Sequence, residues 1–528
     1  MFRQEEPVRF SRSRLWEIKK QYYQLLGQSA WEKKLVPNTI STNAFMALSY
    51  AKVLAAYLTD IVLGRAGGAD ASRPLYIIEI GAGTGRLGYL TAKFLSELAA
   101  PLAWRKKGPL FRYVLTDAVS ANLDAWRRHP LIAEAMRSGL MDLALFDPAS
   151  DEGLTLQFEG EDLETVNGGN PLALVANYVF DVLPYDAFTV SGGRLFEHRV
   201  GIELDDEPQD VAGLTLETMK RLAFVEQGYP IGLPYYGDEA LDAVLDDYIQ
   251  ALPDQLFTMP FGALSCMQRL SKMGGGRLLT LVSDKAHFQL SQFTRKTSLG
   301  LSLEGNYAPS VNLEAVARVV ARLGGWALSR PAPNKRFDSY AFLLAPSVES
   351  MGSTRNAVQE HLLGFGPQAY FALLAHLRRM GDKADLAALL ALLSMGRPDP
   401  AILLRLSEPL LAATKDVAKV GESERQELLY CLRQAWENRF DQKEESGCAF
   451  LMARLAKRLN DSELAAKLYL ASLDAGGPDA ATYYNLALCL IEMGSPDDAK
   501  AFLLQALAIK PDHAPSKEQL ARLEPSTH

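Results

Sequence analysis

The sequence predicts a doubly wound, mostly parallel α/β sheet, followed by an all-α domain of helical repeats. Between residues 75 and 200, short apolar runs alternate with helical stretches. These runs are apolar almost throughout, which is typical of parallel strands buried on both faces. After residue 357 such runs stop, and helical segments rich in Leu and Ala continue to residue 522. Alternating strands and helices indicate right-handed crossovers within one open sheet.

Seven strands are expected in this sheet, with the last two forming a hairpin-like pair. A helical insertion is expected between these strands, at roughly residues 213–272. The predicted strands are LYIIEI (75–80), FRYVLTD (111–117), DLALF (142–146), LALVAN (172–177), AFTVSG (187–192), RLLTLVS (277–283) and SYAFLLA (339–345).

The same patterns divide the chain into three regions. Residues 1–70 are expected to form an N-terminal helical cap that contains a turn-rich stretch at 36–39. Residues 71–346 are expected to form the α/β domain, and the polar segment 346–356 is interpreted as a linker. Residues 357–528 are expected to form the helical domain.

An internal repeat indicates what kind of helical domain this is. In residues 480–513, eight positions fall at the spacings of a tetratricopeptide repeat, and five positions 34 residues earlier fall in the same register. The phase of residues 357–445 cannot be read. Stacked repeats of this type offer a concave groove, so we expect the domain to recruit a protein or peptide. The positions are Tyr483, Leu486, Ala487, Gly494, Ala499, Leu503, Ala506 and Pro511, preceded by Met452, Ala453, Ala465, Tyr469 and Ser472.

Composition excludes several classes of protein. The 55 basic and 63 acidic residues give a net charge of −8, which argues against a nucleic-acid binder. Four scattered cysteines predict neither a disulfide framework nor a zinc site. Neither a signal peptide nor a membrane span is recognised, so a cytoplasmic protein without a membrane partner is expected. The oligomeric state stays open, a homodimer included.

A glycine-rich segment closes the first predicted strand and opens the next helix. It reads Glu79-Ile80-Gly81-Ala82-Gly83-Thr84-Gly85. Its glycines allow a tight turn and a close backbone approach to a ligand, and the helix beginning near Arg86 offers N–H groups to an anion. The acidic Glu79, two positions before the first glycine, favours S-adenosylmethionine as the ligand. A dinucleotide fingerprint read as Gly83, Gly85 and Gly88, and a turn without ligand, are the alternatives.

Two further carboxylates follow the next two strands. Asp117 can accept hydrogen bonds from both ribose hydroxyls, or it caps a helix. Asp147 can accept from the adenine amino group while Phe146 or Ala118 covers the ring, or it forms an Asp-Pro turn. Because successive parallel strands end at the same edge, we expect these residues to bind one ligand.

The end of the fourth strand is the expected place for a methyl acceptor. Asp181 is predicted to hold and orient that acceptor, although it could instead cap the following helix. Asn177 is predicted to fix the acceptor through its amide oxygen. Tyr178 either walls the acceptor or packs in the core.

Other titratable residues add little to this prediction. Asp186 is a second candidate for orienting the acceptor. His198 is interpreted as a structural or solvated residue on an edge strand. The sequence contains no recognisable catalytic triad, phosphate loop or metal cluster, so no metal is expected.

The two motifs IIEIGAGTGRL (77–87) and ANYVFDVLPYDAFTVSGGRLFEHRV (176–200) resemble those of the MidA-like methyltransferase family. Its members show E-I-G-x-G-x-G-x-L and A-N-E-x-x-D-A-L-P at these places, and the mitochondrial ones methylate a protein arginine during complex I assembly. Here Tyr178 stands in place of the family's acidic residue, and Ser283-Asp284-Lys285 stands in place of its D-Y-G. The resemblance implies a class I methyltransferase sheet and S-adenosylmethionine as cofactor, and it does not extend to the repeats.

The expected function is therefore an S-adenosylmethionine-dependent methyltransferase. Its acceptor is predicted to be a protein or peptide side chain, with arginine one candidate, recruited by the C-terminal repeats. A small-molecule methyltransferase and a non-catalytic scaffold of the same fold are the alternatives.

Overall fold

The computed structural model describes residues 6–26, 41–102, 108–203, 211–219, 221–252, 254–293, 298–301, 310–331, 337–440 and 447–523. The turn predicted at 36–39 lies outside these residues. The chain divides into two compact units. Unit 1 consists of Met1–Thr42 and Met46–Gln368, and unit 2 of Asn43–Phe45 and Ala369–His528.

The strands of unit 1 form two main sheets and one short pair. The large sheet has seven strands in the order β13-β14-β10-β5-β2-β3-β4. The strands are β1 Val8–Arg9, β2 Leu75–Ile80, β3 Phe111–Asp117, β4 Met141–Leu145, β5 Leu172–Asn177, β6 Asp186–Ser191, β7 Arg194–Glu203, β8 Ala223–Ile231, β9 Gln255–Met259, β10 Leu278–Asp284, β11 Ala286–His287, β12 Val311–Asn312, β13 Trp326–Leu328 and β14 Asp338–Leu344.

The centre of the seven-stranded sheet is parallel, as the apolar runs predict. Strands β10, β5, β2, β3 and β4 pair in parallel, whereas β14 pairs antiparallel with β10 and β13. Every residue of β2, β3 and β10 is buried. The sheet is thus mostly parallel, and its carboxyl-terminal edge is formed by the ends of β2, β3, β4 and β5.

The membership of the sheet differs from the prediction in one strand. The run predicted at 187–192 lies in the second sheet as β6, and its place among the seven is taken by β13. Gly192 and Gly193 have φ angles of 55° and 72°, so they form a tight turn that folds β7 back onto β6. On its other side β6 pairs with β9, so both neighbours of β6 lie outside the large sheet.

The insertion predicted to be helical contains two strands. Residues 223–231 pair with β7 over nine residues as β8, and residues 255–259 pair with β6 as β9. The prediction missed these two strands because their partners are distant in sequence, and a local sequence pattern does not reveal such pairing. The same region also contains three helices, α7 Leu216–Met219, α8 Glu239–Ala251 and α9 Phe261–Met273. The helices of unit 1 are α1 Leu15–Leu26, α2 Ala44–Val62, α3 Arg86–Ala99, α4 Ser120–Arg128, α5 Pro130–Arg137, α6 Leu163–Asn167, α7 Leu216–Met219, α8 Glu239–Ala251, α9 Phe261–Met273, α10 Leu313–Arg322 and α11 Gly352–Val358.

Helix α2 is a core helix, although its length and composition would allow it to cross a membrane. Within its most apolar stretch, 67% of the residues are buried inside the protein. Tyr57, near its centre, donates a hydrogen bond to the carbonyl of Leu172 on β5 over 3.0 Å. The helix therefore packs directly against the end of a central strand.

The polar segment 346–356 is not a linker. Met351 is fully buried, and Thr354 donates hydrogen bonds of 2.8 Å from its backbone nitrogen and its hydroxyl to Asp60 on α2. The division between the two units falls instead between Gln368 and Ala369. Polarity suggested an exposed segment here, but a buried carboxylate satisfies the polar groups.

Unit 2 is helical throughout its described regular structure, and the repeat positions form its hydrophobic contacts. Leu486, Ala487, Ala499, Leu503 and Ala506 are all essentially buried where the helices of residues 480–513 pack together. The helices are α12 Pro367–Met380, α13 Leu386–Ser394, α14 Pro400–Arg405, α15 Ser407–Ala413, α16 Glu422–Glu437, α17 Cys448–Arg458, α18 Ser462–Gly476, α19 Ala480–Glu492, α20 Pro496–Ile509 and α21 Ala514–Leu523.

Candidate active site

A cavity of about 480 Å³ lies at the carboxyl-terminal edge of the seven-stranded sheet. Its walls come from the segments that follow β2, β3, β4 and β5, together with helix α1 and residues 41–42. The volume lies within the range of about 300–1,000 Å³ that is usual for small-molecule sites. The cavity therefore sits where open α/β sheets bind their ligands.

The glycine-rich segment forms one wall of the cavity. Gly81 and Gly83 line it with φ angles of 60° and 56°, which favour glycine. A Cβ atom on Gly81 would lie 2.7 Å from Cγ2 of Val179, so a side chain there would collide with the opposite wall. Gly81 thus keeps the entrance to the turn narrow and free of side chains.

Gly85 has a different task from the other two glycines. Its φ angle is 78° at the position before α3, but it is not among the described residues that line the cavity. A Cβ atom there would lie 3.0 Å from Nε1 of Trp126, which donates a hydrogen bond to the carbonyl of Gly83. Gly85 therefore allows Trp126 to support the turn from behind.

Asp117 lies beside the turn with its carboxylate buried. One oxygen accepts hydrogen bonds from the nitrogen of Gly83 at 3.2 Å and from Asn122 Nδ2 at 2.9 Å, and the other accepts from the nitrogen of Val119 at 3.0 Å. Burial raises the pKa of Asp117, and these hydrogen bonds act in the opposite direction. Asp117 lines the cavity, so its carboxylate is within reach of a ligand that enters there.

Glu79 lines the cavity but is almost completely buried. Burial raises the pKa of Glu79 to about 8, although the hydroxyl of Tyr113 donates a hydrogen bond of 3.0 Å to its carboxyl group and lowers it. At neutral pH, Glu79 is therefore largely protonated and can donate as well as accept a hydrogen bond.

The residues predicted to hold an adenine ring are only partly brought together. Ala118 and Asp147 line the cavity, whereas Phe146 is 2% exposed and packs in the core under the sheet. Strand alternation explains this, because Leu145 beside it is 51% exposed. Asp147 accepts from the nitrogen of Ala149 in a turn and forms an ion pair of 2.7 Å with Lys20.

Asn177 lies at the end of β5 with both ends of its amide engaged. Its oxygen accepts a hydrogen bond of 2.6 Å from the hydroxyl of Tyr50, and its nitrogen donates to the carbonyl of Ser41 over 3.2 Å. Tyr50 also lies 2.7 Å from the hydroxyl of Ser283. Asn177 lines the cavity, and helix α2 fixes its orientation.

Tyr178 is a cavity wall held in an unusual backbone conformation. Its φ angle is 53°, in the region that favours glycine, and its ring stacks on Phe337 with 5.2 Å between centroids. Burial raises the pKa of the Tyr178 hydroxyl above its ordinary value. A non-glycine residue in this conformation costs about 1–3 kcal/mol and is often found at functional sites.

Asp181 lies behind the cavity wall, in a short 3₁₀ turn at Phe180–Val182. It is buried, it lies 3.4 Å from Nζ of Lys285, and its backbone nitrogen donates to Asp284 over 3.2 Å. Burial raises the pKa of Asp181, while Lys285 and Lys19 lower it. Asp181 does not touch the cavity in the described structure, so it can orient an acceptor only through a neighbouring group.

Comparisons with known proteins identify the kind of enzyme. Residues 54–279 match the family model described as "Putative S-adenosyl-L-methionine-dependent methyltransferase". The chain is therefore a methyltransferase, and this segment of unit 1 is the part that is similar to the family. Its cofactor is S-adenosylmethionine. Residues 480–513 match the tetratricopeptide repeat model, as the spacing predicts.

Two crystal structures from Burkholderia thailandensis are similar to the methyltransferase. One is an uncharacterized protein, 16% identical, with 66% of this chain and 71% of that chain covered and a TM-score of 0.31. The other, of the same superfamily, is bound to S-adenosyl-homocysteine and is also 16% identical. It covers 61% of this chain and 74% of its own, with a TM-score of 0.33. No curated protein shows a significant match to the chain.

Two other sequence candidates lie outside the cavity of the methyltransferase. Asp186 is fully buried in the second sheet, where Arg9 binds it at 2.5 Å and Tyr236 donates to it at 2.9 Å. His198 lies in β7, which has paired neighbours on both sides and is not an edge strand. Its ring nitrogens contact Thr189 at 2.6 Å and Glu226 at 2.5 Å, as a structural histidine would.

Sequence reasoning missed the contribution of helix α1 to the methyltransferase cavity. Trp16, Glu17, Lys19 and Lys20 line the cavity, with Lys19 only 3% exposed. One signal was available, because Lys19 stands four residues after the buried Leu15 and so shares its helical face. A lysine on the apolar face of an amphipathic helix is unusual, because lysine is among the most rarely buried residues.

Proposed function

We propose that this methyltransferase modifies a nitrogen atom of a protein or peptide side chain that the helical unit recruits. The match of residues 480–513 to a tetratricopeptide repeat carries this proposal, because such repeats typically bind peptides and proteins. The strand order of the large sheet, in which β14 is antiparallel, supports a class I methyltransferase domain.

The residues present fit the cofactor. The glycine turn leaves room for main chain to approach a ligand, and a Cβ atom on Gly81 would fill that room. We infer that Gly81 and Gly83 hold its amino-acid portion near the amino terminus of α3, and that Asp117 binds its ribose. Asp147 and Ala118, which line the same cavity, would contact the adenine.

When bound, S-adenosylmethionine supplies a methyl group on a sulfonium whose sulfur is already a good leaving group. The protein's task is therefore alignment and exclusion of water. Asn177, held by Tyr50 and Ser41, and Tyr178, held by Phe337, form the rigid wall beside which an acceptor would lie. Asp181 contributes its charge from behind this wall.

Isotope transfer tests the proposal. The full-length protein and S-adenosylmethionine labelled in its methyl group are incubated with a lysate of the native cell, and labelled material is analysed by mass spectrometry. Label on a nitrogen of a protein side chain is expected. Label found only on compounds of low molecular mass would overturn the proposal in favour of small-molecule methylation.

Removal of residues 369–528 tests the role of the repeats, since the compact units divide there. Protein methylation is expected to fall at least tenfold while S-adenosylmethionine still binds. Retained cofactor affinity, measured by calorimetry, shows that unit 1 remains folded. Unchanged protein methylation would contradict recruitment by the repeats.

A further inference from the structure

Lys19 places a buried amine in the wall of the cofactor cavity. It is 3% exposed, it lines the same cavity as Gly81 and Tyr178, and its Nζ lies 5.2 Å from the centroid of the Trp16 ring. Lysine is among the residues that are most rarely buried to this degree. The family motifs discussed above do not include this position.

Asp181, Asp284 and Lys285 act electrostatically on Lys19, and we call these four side chains the lysine cluster. Asp181 and Asp284 are buried and adjacent, and Lys285 lies 3.4 Å from Asp181. Oδ1 of Asp181 is buried and accepts no hydrogen bond from any residue that the structure describes. Glu17 and Lys20 of the same helix also line the cavity, and Asp147 lies opposite, paired with Lys20.

Burial of Lys19 has a direct consequence for its charge. Desolvation lowers the pKa of Lys19 to about 8, although Asp181 and Asp284 raise it and Lys285 lowers it further. An amine with this pKa changes its protonation state near neutral pH, as general bases do in enzymes. A second positive charge in the same cavity would favour the neutral form still more.

We propose that Lys19 is the proton acceptor for a protonated aliphatic amine that receives the methyl group. The inference rests on the proposed function and narrows its acceptor to a lysine side chain or an amino terminus. Asp181 is a positioning residue, whose negative charge favours the protonated form of Lys19 after it has accepted the proton.

An N–H bond of the acceptor ammonium breaks, and its proton passes to the neutral Nζ of Lys19. The acceptor nitrogen then uses its lone pair to form a bond to the methyl carbon. The sulfur–carbon bond breaks with its electron pair remaining on sulfur, so that the sulfonium becomes a neutral thioether.

Proton-transfer matching favours an amine over the other acceptors. The ordinary pKa of an amino terminus, about 8, matches that of Lys19, and the pKa of a lysine side chain, about 10.4, lies closer to it than that of arginine. Arginine, with a pKa above about 12, does not give its proton to such a base. A carboxylate acceptor needs no base at all.

Calorimetric titration with S-adenosylmethionine in buffers of different ionisation enthalpy measures the protons released on binding, without any acceptor. At pH 7, we expect wild type to release roughly half a proton to one proton more per site than Lys19→Met, because the bound sulfonium favours neutral Lys19. S-adenosyl-homocysteine, which lacks the charge, should not show this difference. Equal proton release by wild type and Lys19→Met would overturn the assignment of Lys19.

Two further variants separate charge from structure. Lys19→Arg keeps a permanent charge, so it should release no extra proton and should bind S-adenosylmethionine more weakly than Lys19→Met. Lys272→Met, which removes an exposed lysine from α9, should release as many protons as wild type. Loss of the proton signal in Lys272→Met would show that the readout does not report on the cavity.

The labelled-methyl experiment tests the acceptor class separately. We expect label on a lysine or amino-terminal nitrogen, and a loss of transfer of about 10²–10⁴-fold in both Lys19 variants. Label on arginine or on a carboxyl group would overturn the amine acceptor and leave protein methylation standing. Failure of S-adenosylmethionine to bind would instead overturn the proposed function itself.

Discussion

Two parts of the cofactor site differ in what forms them. At the part formed by Gly81, Gly83 and Asp117, which we call the glycine-loop end, main chain contributes much of the wall, and the Asp117 carboxylate accepts hydrogen bonds from Gly83, Val119 and Asn122. The lysine cluster adjoins the cavity through Lys19, and it draws two buried carboxylates and two amines from α1, the turn after β5 and the end of β10.

This difference predicts different sensitivities. The glycine-loop end depends on shape, because added atoms collide and positive φ angles restrict the residue type. The lysine cluster depends on charge balance, because each buried charge is tolerated only while its partners remain. Changes of size should therefore damage the first end, and changes of pH or charge should damage the second.

Gly81→Ala should give the largest effect. The new Cβ would lie 2.7 Å from Cγ2 of Val179, and the φ angle of 60° would be strained. Together these should weaken S-adenosylmethionine binding by about 100-fold, or about 3 kcal/mol, measured by calorimetry. Gly64→Ala is the matched control, since Gly64 also has a positive φ of 74° but has nothing within 4 Å of a built Cβ. Similar affinity losses in both variants would show that strain, not the shape of this end, is responsible.

Glu79→Gln tests whether the carboxyl group of Glu79, beside the glycine-loop end, is uncharged in the folded protein. Burial raises the pKa of Glu79 from 4.5 to about 8, so folding takes up a proton between these values. Wild-type stability from this group is therefore greatest below pH 4.5 and is lost as pH rises to about 8. The variant lacks this loss and should gain about 3 kcal/mol relative to wild type between pH 5 and pH 8. Urea unfolding at both pH values measures the gain, and a constant difference would mean that Glu79 is charged in the folded protein.

The same contrast explains which parts of the molecule the sequence could predict. The glycine turn, Asp117 and the buried parallel strands depend on patterns within about ten residues, and the sheet places their ends at one edge. Lys19 enters the cavity from a helix more than fifty residues before that turn. Tertiary packing brings Lys19 close to the glycine turn, and a local sequence pattern does not show this. The one sequence signal was that Lys19 shares a helical face with the buried Leu15.

The remaining errors in the prediction have similar causes. The run 187–192 has the composition of a central strand, but its pairing with β7 and β9 places it in another sheet. Phe146 was chosen for its aromatic ring, whereas the alternation of side chains after β4 directs that ring to the core. In both cases the residue type was interpreted correctly and the long-range partner was not visible.

Tyr50→Phe and Tyr57→Phe compare two buried hydroxyls on one helix. The hydroxyl of Tyr50 orients Asn177 at the cavity, whereas that of Tyr57 bonds to the carbonyl of Leu172 away from it. Each variant should lose about 1–2 kcal/mol of stability. Only Tyr50→Phe should also weaken cofactor binding, by roughly threefold to tenfold, because Asn177 loses the donor that fixes it. Equal cofactor affinities in the two variants would mean that Asn177 keeps its orientation without Tyr50.

Lys20→Met should give the smallest effect, and it sharpens the contrast between exposed and buried charge. Lys20 pairs with Asp147 at 2.7 Å, but 42% of its side chain is exposed. Water and salt screen such a pair, so its loss should change stability by about 0.5 kcal/mol or less and cofactor affinity by no more than about threefold. The affinity difference from wild type should shrink further when calorimetry is repeated at high salt. Because Lys19 is buried, salt should leave unchanged the proton that it releases when S-adenosylmethionine binds. A Lys20→Met effect that is large and insensitive to salt would show that Lys20 belongs to the same charge-balanced group as Lys19.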